Sequence, residues 1–163
     1  MQKGLAPKTT SCGRVLDAVS AILGICYERT YEGEPAMKLE SAAINGTDVL
    51  NLTPELKGNI INTTLMVREV FSQRHNHSVA DLAYSVQTYL AKGIAQLAVE
   101  EAERLGVKAI GFSGGVAYNE HITQIIRKTV EENGFKFFVH RLLPPGDGGI
   151  SFGQAIAASH SKW

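Results

Sequence analysis

Two short glycine-rich segments contain the residues whose types and spacing are best suited to chemistry. Ser113-Gly114-Gly115 lies between a predicted strand and a predicted helix, and residues 144–149 (PPGDGG) follow a second predicted strand. Glycine has no Cβ atom, so backbone N–H groups in such a segment can approach a ligand closely. The N-terminus of the helix that follows also favours negative or electron-rich groups. The first segment is therefore either a ligand-binding loop or a simple tight turn.

Two polar side chains lie in or beside these segments. Asn119 starts the helix after Ser113-Gly114-Gly115, where its amide can hydrogen-bond a base or a ribose or can cap the helix. Asp147 lies between glycines in the second segment, where a carboxylate is poorly placed for packing. It is well placed to bind a divalent metal or to orient phosphates, and a turn or cap role is the alternative.

Acidic residues nearer the N-terminus offer further acceptors. Glu32 and Glu34 flank Gly33 in the segment YEGEP, and ribose hydroxyls are donors that suit such carboxylates. A solvated acidic loop fits the same pattern. Asp17 lies beside the apolar stripe of the first predicted helix, so it either reaches into a pocket or faces solvent.

Several other kinds of site are not indicated. The sequence has no Walker A lysine motif and no G-x-G-x-x-G fingerprint. His121 and His140 have no partner nearby in sequence, so no catalytic triad is predicted. Cys12 and Cys26 are too few for a disulfide framework and are expected to be reduced core thiols.

The elements that position the two glycine segments follow a regular order in the second half of the chain. Apolar spacing and turn residues predict the following elements: a long helix from Ser78 to Leu105 ended by Gly106, a strand over Val107–Phe112, a helix over Asn119–Asn133, a strand over Lys136–Leu142 and a helix over Ile150–Ser159. Strands joined through helices form a parallel sheet with right-handed crossovers. Both glycine segments should then open at the same sheet edge, where open α/β folds bind ligands.

The first half is less regular and mainly predicts helices. A helix should follow Ser11, a short one should cover Met37–Ala43, and the apolar residues from Ile60 to Val70 indicate another. Thr53-Pro54-Glu55 is interpreted as a helix start. We expect one α/β lobe spanning residues 1–163, with a small mixed sheet covered by helices.

Composition limits the function classes. The 163 residues are 44% hydrophobic and 20% charged, with a formal net charge of zero, which is typical of a globular protein and argues against a general nucleic-acid binder. The sequence has no apolar run of about 18 residues and no signal-like apolar segment near residue 1. We therefore expect a cytoplasmic protein that does not enter the membrane.

Four segments together resemble a known family. They are Ser11–Ala18 (SCGRVLDA), Tyr31–Met37 (YEGEPAM) with Leu39-Glu40, Phe112–Asn119 (FSGGVAYN), and Pro144–Ala155 (PPGDGGISFGQA). In this order they resemble the C-terminal region of the HypF-type carbamoyltransferases of nickel–iron hydrogenase maturation, over nearly the whole chain. The segments also resemble the related family that makes threonylcarbamoyladenosine on tRNA and, more distantly, the actin and sugar-kinase ATPase fold.

The resemblance implies a function beyond what the residues show. The family holds ATP or carbamoyl adenylate between two lobes and passes the carbamoyl group to a C-terminal cysteine of a hydrogenase maturation partner. By resemblance, Asp17 and Gly33-Glu34 face the ribose. Ser113-Gly114-Gly115 and Asn119 face the adenine side, and Asp147 is a ligand of a divalent metal near the phosphate.

The chain also departs from the family pattern. The family's metal site uses a pair of histidines from a first lobe, which would precede residue 1, so the chain is not expected to be a complete catalytic unit alone. A non-catalytic lobe that only binds a partner is an alternative. Gln87 stands where the carbamoyltransferases tend to have histidine and looks more like the tRNA-modifying relatives. Arg14 and the YEGE segment favour the carbamoyltransferases.

Overall fold

The computed structural model describes residues 9–160. Within them the elements are α1 (Cys12–Ile22), α2 (Glu34–Ala43), β1 (Leu56–Lys57), β2 (Ile60–Ile61), α3 (Thr63–Gln73), α4 (Val79–Leu105), β3 (Ala109–Phe112), α5 (Glu120–Glu132), β4 (Lys136–Val139) and α6 (Ile150–His160). One 3₁₀ turn precedes α5 and another precedes α6, over Gly115–Tyr118 and Asp147–Gly149. The α/β class expected from the sequence is confirmed.

Helix α4 is the centre of the fold. Its ends are those predicted: the Ser78 hydroxyl accepts from the Asp81 amide, and Gly106 ends the helix with a left-handed φ of 66°. Helices α1, α2, α3 and α5 and strand β3 all pack against it, so apolar residues are buried on more than one of its faces, among them Leu82, Ala83 and Ala91. None of the helices within residues 9–160 is both long enough and apolar enough to cross a membrane.

The helix start predicted at Thr53-Pro54-Glu55 is wrong. Glu55 leads instead into β1, which pairs antiparallel with β2 in a two-stranded hairpin. The Tyr89 hydroxyl of α4 accepts from the Glu55 amide (3.2 Å) and donates to the Asn62 carbonyl (2.8 Å), which fastens both ends of the hairpin to the core. These long-range bonds satisfy backbone groups that a local helix would otherwise have paired.

Two other boundaries in the first half differ from expectation. Helix α3 begins at Thr63, because the Asn62 side chain accepts from the amides of Thr64 and Leu65 and so caps the helix after the apolar pair at 60–61. Helix α2 begins at Glu34, three residues earlier than predicted, and Pro35 lies in its first turn, where proline is well tolerated.

Strands β3 and β4 form the parallel pair that the second half predicts. Their register places Ala109 opposite Lys136 and Phe112 opposite Val139. Each strand is shorter than expected at one end, β3 at its start and β4 at its end, and this ladder is separate from the β1–β2 hairpin. Helix α5 crosses from one strand to the next, so the segments that follow β3 and β4 lie at the same sheet edge.

Candidate functional site

The two glycine segments lie side by side and are hydrogen-bonded to each other. The Gly114 amide donates to the Pro145 carbonyl at 2.8 Å. The Ser113 hydroxyl donates to the same carbonyl at 3.2 Å. The neighbourhood expected from parallel strands is therefore present in the structure.

The backbone of the first segment requires glycine at one position. Gly114 has a φ of 101°, in the region that residues with a Cβ rarely adopt. Gly115 opens the 3₁₀ turn, and an added Cβ there would meet no atom within 4 Å. Gly115 is exposed and has open space beside its Cα, so a ligand can approach the backbone there.

A serine–histidine pair joins the ends of the two strands. Ser113 Oγ and His140 Nε2 are 3.0 Å apart. Whether Nε2 donates or accepts in this contact depends on the tautomer of His140. Sequence reasoning did not find this pair. The strand register would have indicated it, since Ser113 and His140 directly follow the paired residues Phe112 and Val139.

The side chain of Asn119 is used within the fold. Its carbonyl oxygen accepts from the Ile122 amide at 2.8 Å and so caps α5. Its NH₂ group donates to Gln87 Oε1 at 2.7 Å, and Gln87 donates in turn to the Ala83 carbonyl at 3.1 Å. Both side chains are buried. The structure therefore shows the cap role, and contact with a nucleotide stays a prediction.

The acidic residues assigned to the ribose side differ in exposure. Asp17 is half-buried and forms an ion pair with Arg14 at 3.2 Å. Glu34 is buried; it pairs with Lys38 at 2.7 Å and accepts from the amide and hydroxyl of Thr30 at 2.5 and 2.9 Å. The ammonium and the amide donor together lower the pKa of Glu34 to about 2. Its carboxylate therefore stabilises its own loop.

Helix α2, which starts at Glu34, is tied to the beginning of α5. Glu40 accepts a hydrogen bond from the Glu120 amide at 2.8 Å, across 80 positions of sequence. Burial raises the pKa of Glu40. The contact places the later part of α2 next to the start of α5, whereas Gly33 and Glu34 lie at the opposite end of α2.

Asp147 is exposed and begins the 3₁₀ turn before α6. Within residues 9–160 no group of three or more histidine, cysteine, aspartate or glutamate side chains is arranged to hold a metal ion. Asp147 thus offers one carboxylate, and the other ligands of a metal would have to come from outside the described part of the chain.

The two cysteines are free, as expected. Cys26 is buried and Cys12 is partly buried. Burial raises the pKa of Cys12 to about 11, so this thiol is protonated and unreactive near neutral pH.

Comparison of the whole sequence with known proteins shows which family the chain belongs to. The family model described as "Carbamoyltransferase, Kae1-like Domain, second subdomain" matches residues 1–154. The chain belongs to this HypF carbamoyltransferase family. It is 43% identical over 152 residues to the probable carbamoyltransferase HypF of Methanocaldococcus jannaschii, covering 93% of this chain and 20% of that protein.

Solved HypF structures share the fold. The crystal structure of Thermococcus kodakarensis HypF superposes with a TM-score of 0.83 at 46% identity, over 91% of this chain and 19% of that one. A full-length HypF in its phosphate- and nucleotide-bound form gives a TM-score of 0.80 at 27% identity, over 91% and 20%. This chain thus spans about one fifth of each of these three HypF proteins.

The tRNA-modifying relatives expected from the sequence are also found. The tRNA N6-adenosine threonylcarbamoyltransferase of Nanoarchaeum equitans is 27% identical over 126 residues, covering 77% of this chain and 38% of that protein. The shared region is therefore common to two kinds of carbamoyl-transferring proteins.

Proposed function

We propose that this chain is the nucleotide-binding lobe of a cytoplasmic carbamoyltransferase. The lobe would hold ATP or carbamoyl adenylate while the carbamoyl group is passed to a cysteine of a hydrogenase maturation partner. In that transfer the cysteine thiolate attacks the carbamoyl carbon and AMP leaves. The observation that carries the proposal is the hydrogen-bonded pair of glycine segments, supported by family membership and by a nucleotide-bound HypF of the same fold.

The first glycine segment supplies the backbone for such a site. The left-handed conformation of Gly114 turns the chain, and the open space at Gly115 allows an electron-rich group to reach the backbone amide at the start of the 3₁₀ turn. Asn119 lies four residues beyond Gly115 and is held by the buried Gln87. A fixed frame of this kind orients a ligand without the cost of ordering a loop on binding.

The ribose side would be formed by Asp17 and the Gly33-Glu34 segment. Gly33 has a φ of 80°, and Glu34 is fixed by Thr30 and Lys38, so the backbone of this loop is held in one conformation. Asp17, held only by the ion pair with Arg14, has the more accessible carboxylate. We infer that Glu34 shapes the ribose site and that Asp17 is the acceptor for a hydroxyl.

Asp147 would contribute a single ligand to a metal near the phosphates. Oxygen ligands suit hard divalent cations, but one carboxylate does not make a site. The remaining ligands, and the groups that exclude water, would come from the other four-fifths of a HypF-like chain. We therefore expect the chain alone to bind ATP weakly and not to transfer carbamoyl groups.

Replacing Gly115 by alanine tests the proposal. The added methyl group meets no protein atom, so stability should stay unchanged, whereas a nucleotide approaching the Gly115 amide would be displaced and lose about tenfold or more in affinity. ATP binding is measured by calorimetric titration at millimolar nucleotide. Gly153→Ala in α6, where an added Cβ also has open space, is the matched control and should bind as the unmodified chain does. Equal ATP affinity of the Gly115→Ala variant would contradict the proposed site.

The tRNA-modifying function is the second candidate, and Gln87 favours it. This residue looks more like that of the tRNA relatives, and it holds the side chain that caps the helix after the first glycine segment. The zero net charge weakens this alternative, because tRNA binding usually requires a basic surface. Transfer of threonylcarbamoyl to tRNA, without carbamoyl-phosphate-dependent ATP–pyrophosphate exchange, in a chain completed with its first lobe would favour it over the carbamoyltransferase.

A further inference from the structure

His121 lies in the contact between the start of α5 and the middle of α4. It is the second residue of α5 and follows Asn119, the residue that caps this helix, by two positions. Its Nε2 is 2.9 Å from Thr88 Oγ1 of α4. Its ring packs against that of Tyr84, also of α4, with the ring centroids 4.1 Å apart. One imidazole therefore helps to hold the start of α5, and the glycine segment before it, against α4.

The surroundings of this imidazole favour its neutral form. His121 is half-buried, and burial lowers its pKa from the ordinary value of 6.5. It lies in the first turn of α5, where the helix dipole disfavours a positive charge. Its hydrogen-bonding partner Thr88 is buried and uncharged, so it offers no compensating negative charge. A proton on His121 would therefore create a poorly solvated cation at a helix junction.

The charged groups around this junction offset that cost only in part. Asp48, in the segment before β1, favours the protonated form of His121, but it is paired with Lys92 of α4 at 3.4 Å. Glu120 precedes His121 on α5 and is exposed. Glu40 of α2 accepts from the Glu120 amide, and burial raises its pKa. Glu40 therefore acts in the opposite direction on acidification, because the folded chain takes up its proton first.

Protonation disturbs the hydrogen bond to Thr88 in either tautomer of His121. If Nε2 accepts from the Thr88 hydroxyl, a proton on Nε2 reverses the bond and leaves the hydroxyl proton of the buried Thr88 without this acceptor. If Nε2 donates, the added proton goes to Nδ1, for which the structure shows no acceptor within residues 9–160. Both cases weaken the contact between α4 and α5.

We propose that His121 makes the start of α5 sensitive to pH. The neutral imidazole holds α5 to α4, and its protonation loosens the first turn of α5 together with the end of the first glycine segment. The unfolded chain takes up the proton first as the pH falls, so this contribution to stability is complete above pH 6.5 and is lost as the pH falls below it. The inference relies on the proposed function only for its consequence, a less ordered nucleotide site in acid.

Titration of the imidazole signals by NMR tests the first part of the proposal on the unmodified chain. The ring of His121 should titrate with a midpoint below pH 6.5, and the missing signal in His121→Gln identifies it. A midpoint at or above pH 6.5 would mean that the folded chain tolerates the cation, and the proposal would be wrong. This measurement does not depend on how well any variant folds.

Melting temperatures test the effect on stability. Glutamine at position 121 keeps a hydrogen-bonding side chain without a titrating group, and His75→Gln, at an exposed histidine of the connector after α3, is the matched control. Between about pH 7.5 and about pH 5.5 the unmodified chain and His75→Gln should each lose about 3 °C more than His121→Gln. The titration of Glu40 is common to all three chains and cancels in this difference. An equal loss in the two variants would overturn the proposal.

Amide hydrogen exchange tests whether the loosening is local. Over the same pH range, the protection factors of Ile122 and Thr123 in the first turn of α5 should fall at least about threefold more than that of Leu90 in the buried part of α4. In His121→Gln the three amides should change alike. A parallel decline of all three in the unmodified chain would refute a local effect. None of these measurements involves ATP, so failure here is distinguishable from failure of the proposed nucleotide site.

Discussion

The core around α4 and the loop region after β3 and β4 use their polar groups in different ways. In the core, the side chains of Ser85 and Tyr89 hydrogen-bond to backbone groups of the 49–62 segment, so that segment is held by buried donors and acceptors. In the loop region, Gly115 is exposed with open space beside its Cα, and α6 has no buried residue. Polar groups that are hydrogen-bonded within the protein stabilise the fold. Backbone and apolar surface that stay exposed can instead contact a ligand or a partner.

Truncating the same side chain in each region gives the largest expected difference. Leu82 of α4 is fully buried, and Leu142 after β4 is 97% exposed. Leu82→Ala should lower the free energy of unfolding by about 2–5 kcal/mol, because it leaves a cavity in a packed core. Leu142→Ala should change it by less than about 0.5 kcal/mol. Urea unfolding followed by circular dichroism measures both.

The two leucine variants control for each other, since the atoms removed are the same. A large loss on truncating Leu142 in the isolated chain would show that the loop region is packed in solution. The contrast between the regions would then be wrong.

The hydrogen bond between Asn119 and Gln87 joins the start of α5, after the first glycine segment, to the core helix α4. Asn119→Ala removes the cap of α5 and leaves Gln87 Oε1 buried without a donor, so we expect a loss of about 2–4 kcal/mol. In a Gln87→Leu background the same change should cost only the cap, about 1 kcal/mol. Unfolding of the two single variants and the double variant measures the coupling. Equal losses in both backgrounds would mean that the buried hydrogen bond contributes nothing.

The sequence predicted the elements of the loop region better than those of the first half. In the second half, Ser78, Gly106 and Gly134 are local signals that end or begin elements, and the parallel pairing follows from strand, helix and strand order. In the first half, Thr53-Pro54-Glu55 resembles a helix start, but Glu55 leads into β1 and its amide donates to the Tyr89 hydroxyl of α4. Such long-range bonds are not visible in local spacing.

The adjacency of the two glycine segments was predictable from the sequence, but the contacts of the nearby side chains were not. The adjacency of the glycine segments follows from topology, but the burial of Asn119 against Gln87 depends on how α4 and α5 pack. Gly46 shows the same limit. An added Cβ at this position would lie 2.2 Å from the Ala80 carbonyl oxygen, so the backbone at Gly46 packs tightly on α4. The sequence gives no sign of this contact, because the two positions are far apart in the chain.

The smallest expected effect distinguishes the two glutamates that flank Gly33. Glu34 is buried with three hydrogen-bonding or charged partners, whereas Glu32 is exposed and pairs only with Arg29. The folded pKa of Glu34 is about 2, below its ordinary value of 4.5, so the unfolded chain takes up a proton first as the pH falls. Glu34 therefore stabilises the fold above pH 4.5, and this contribution is lost progressively as the pH falls from 4.5 toward 2. Glu34→Gln should flatten the decline of unfolding free energy over that range, and Glu32→Gln should leave it unchanged. If the two variants showed the same acid dependence, Glu34 would be a solvated residue of the loop, and its bonds to Thr30 and Lys38 would not stabilise the fold.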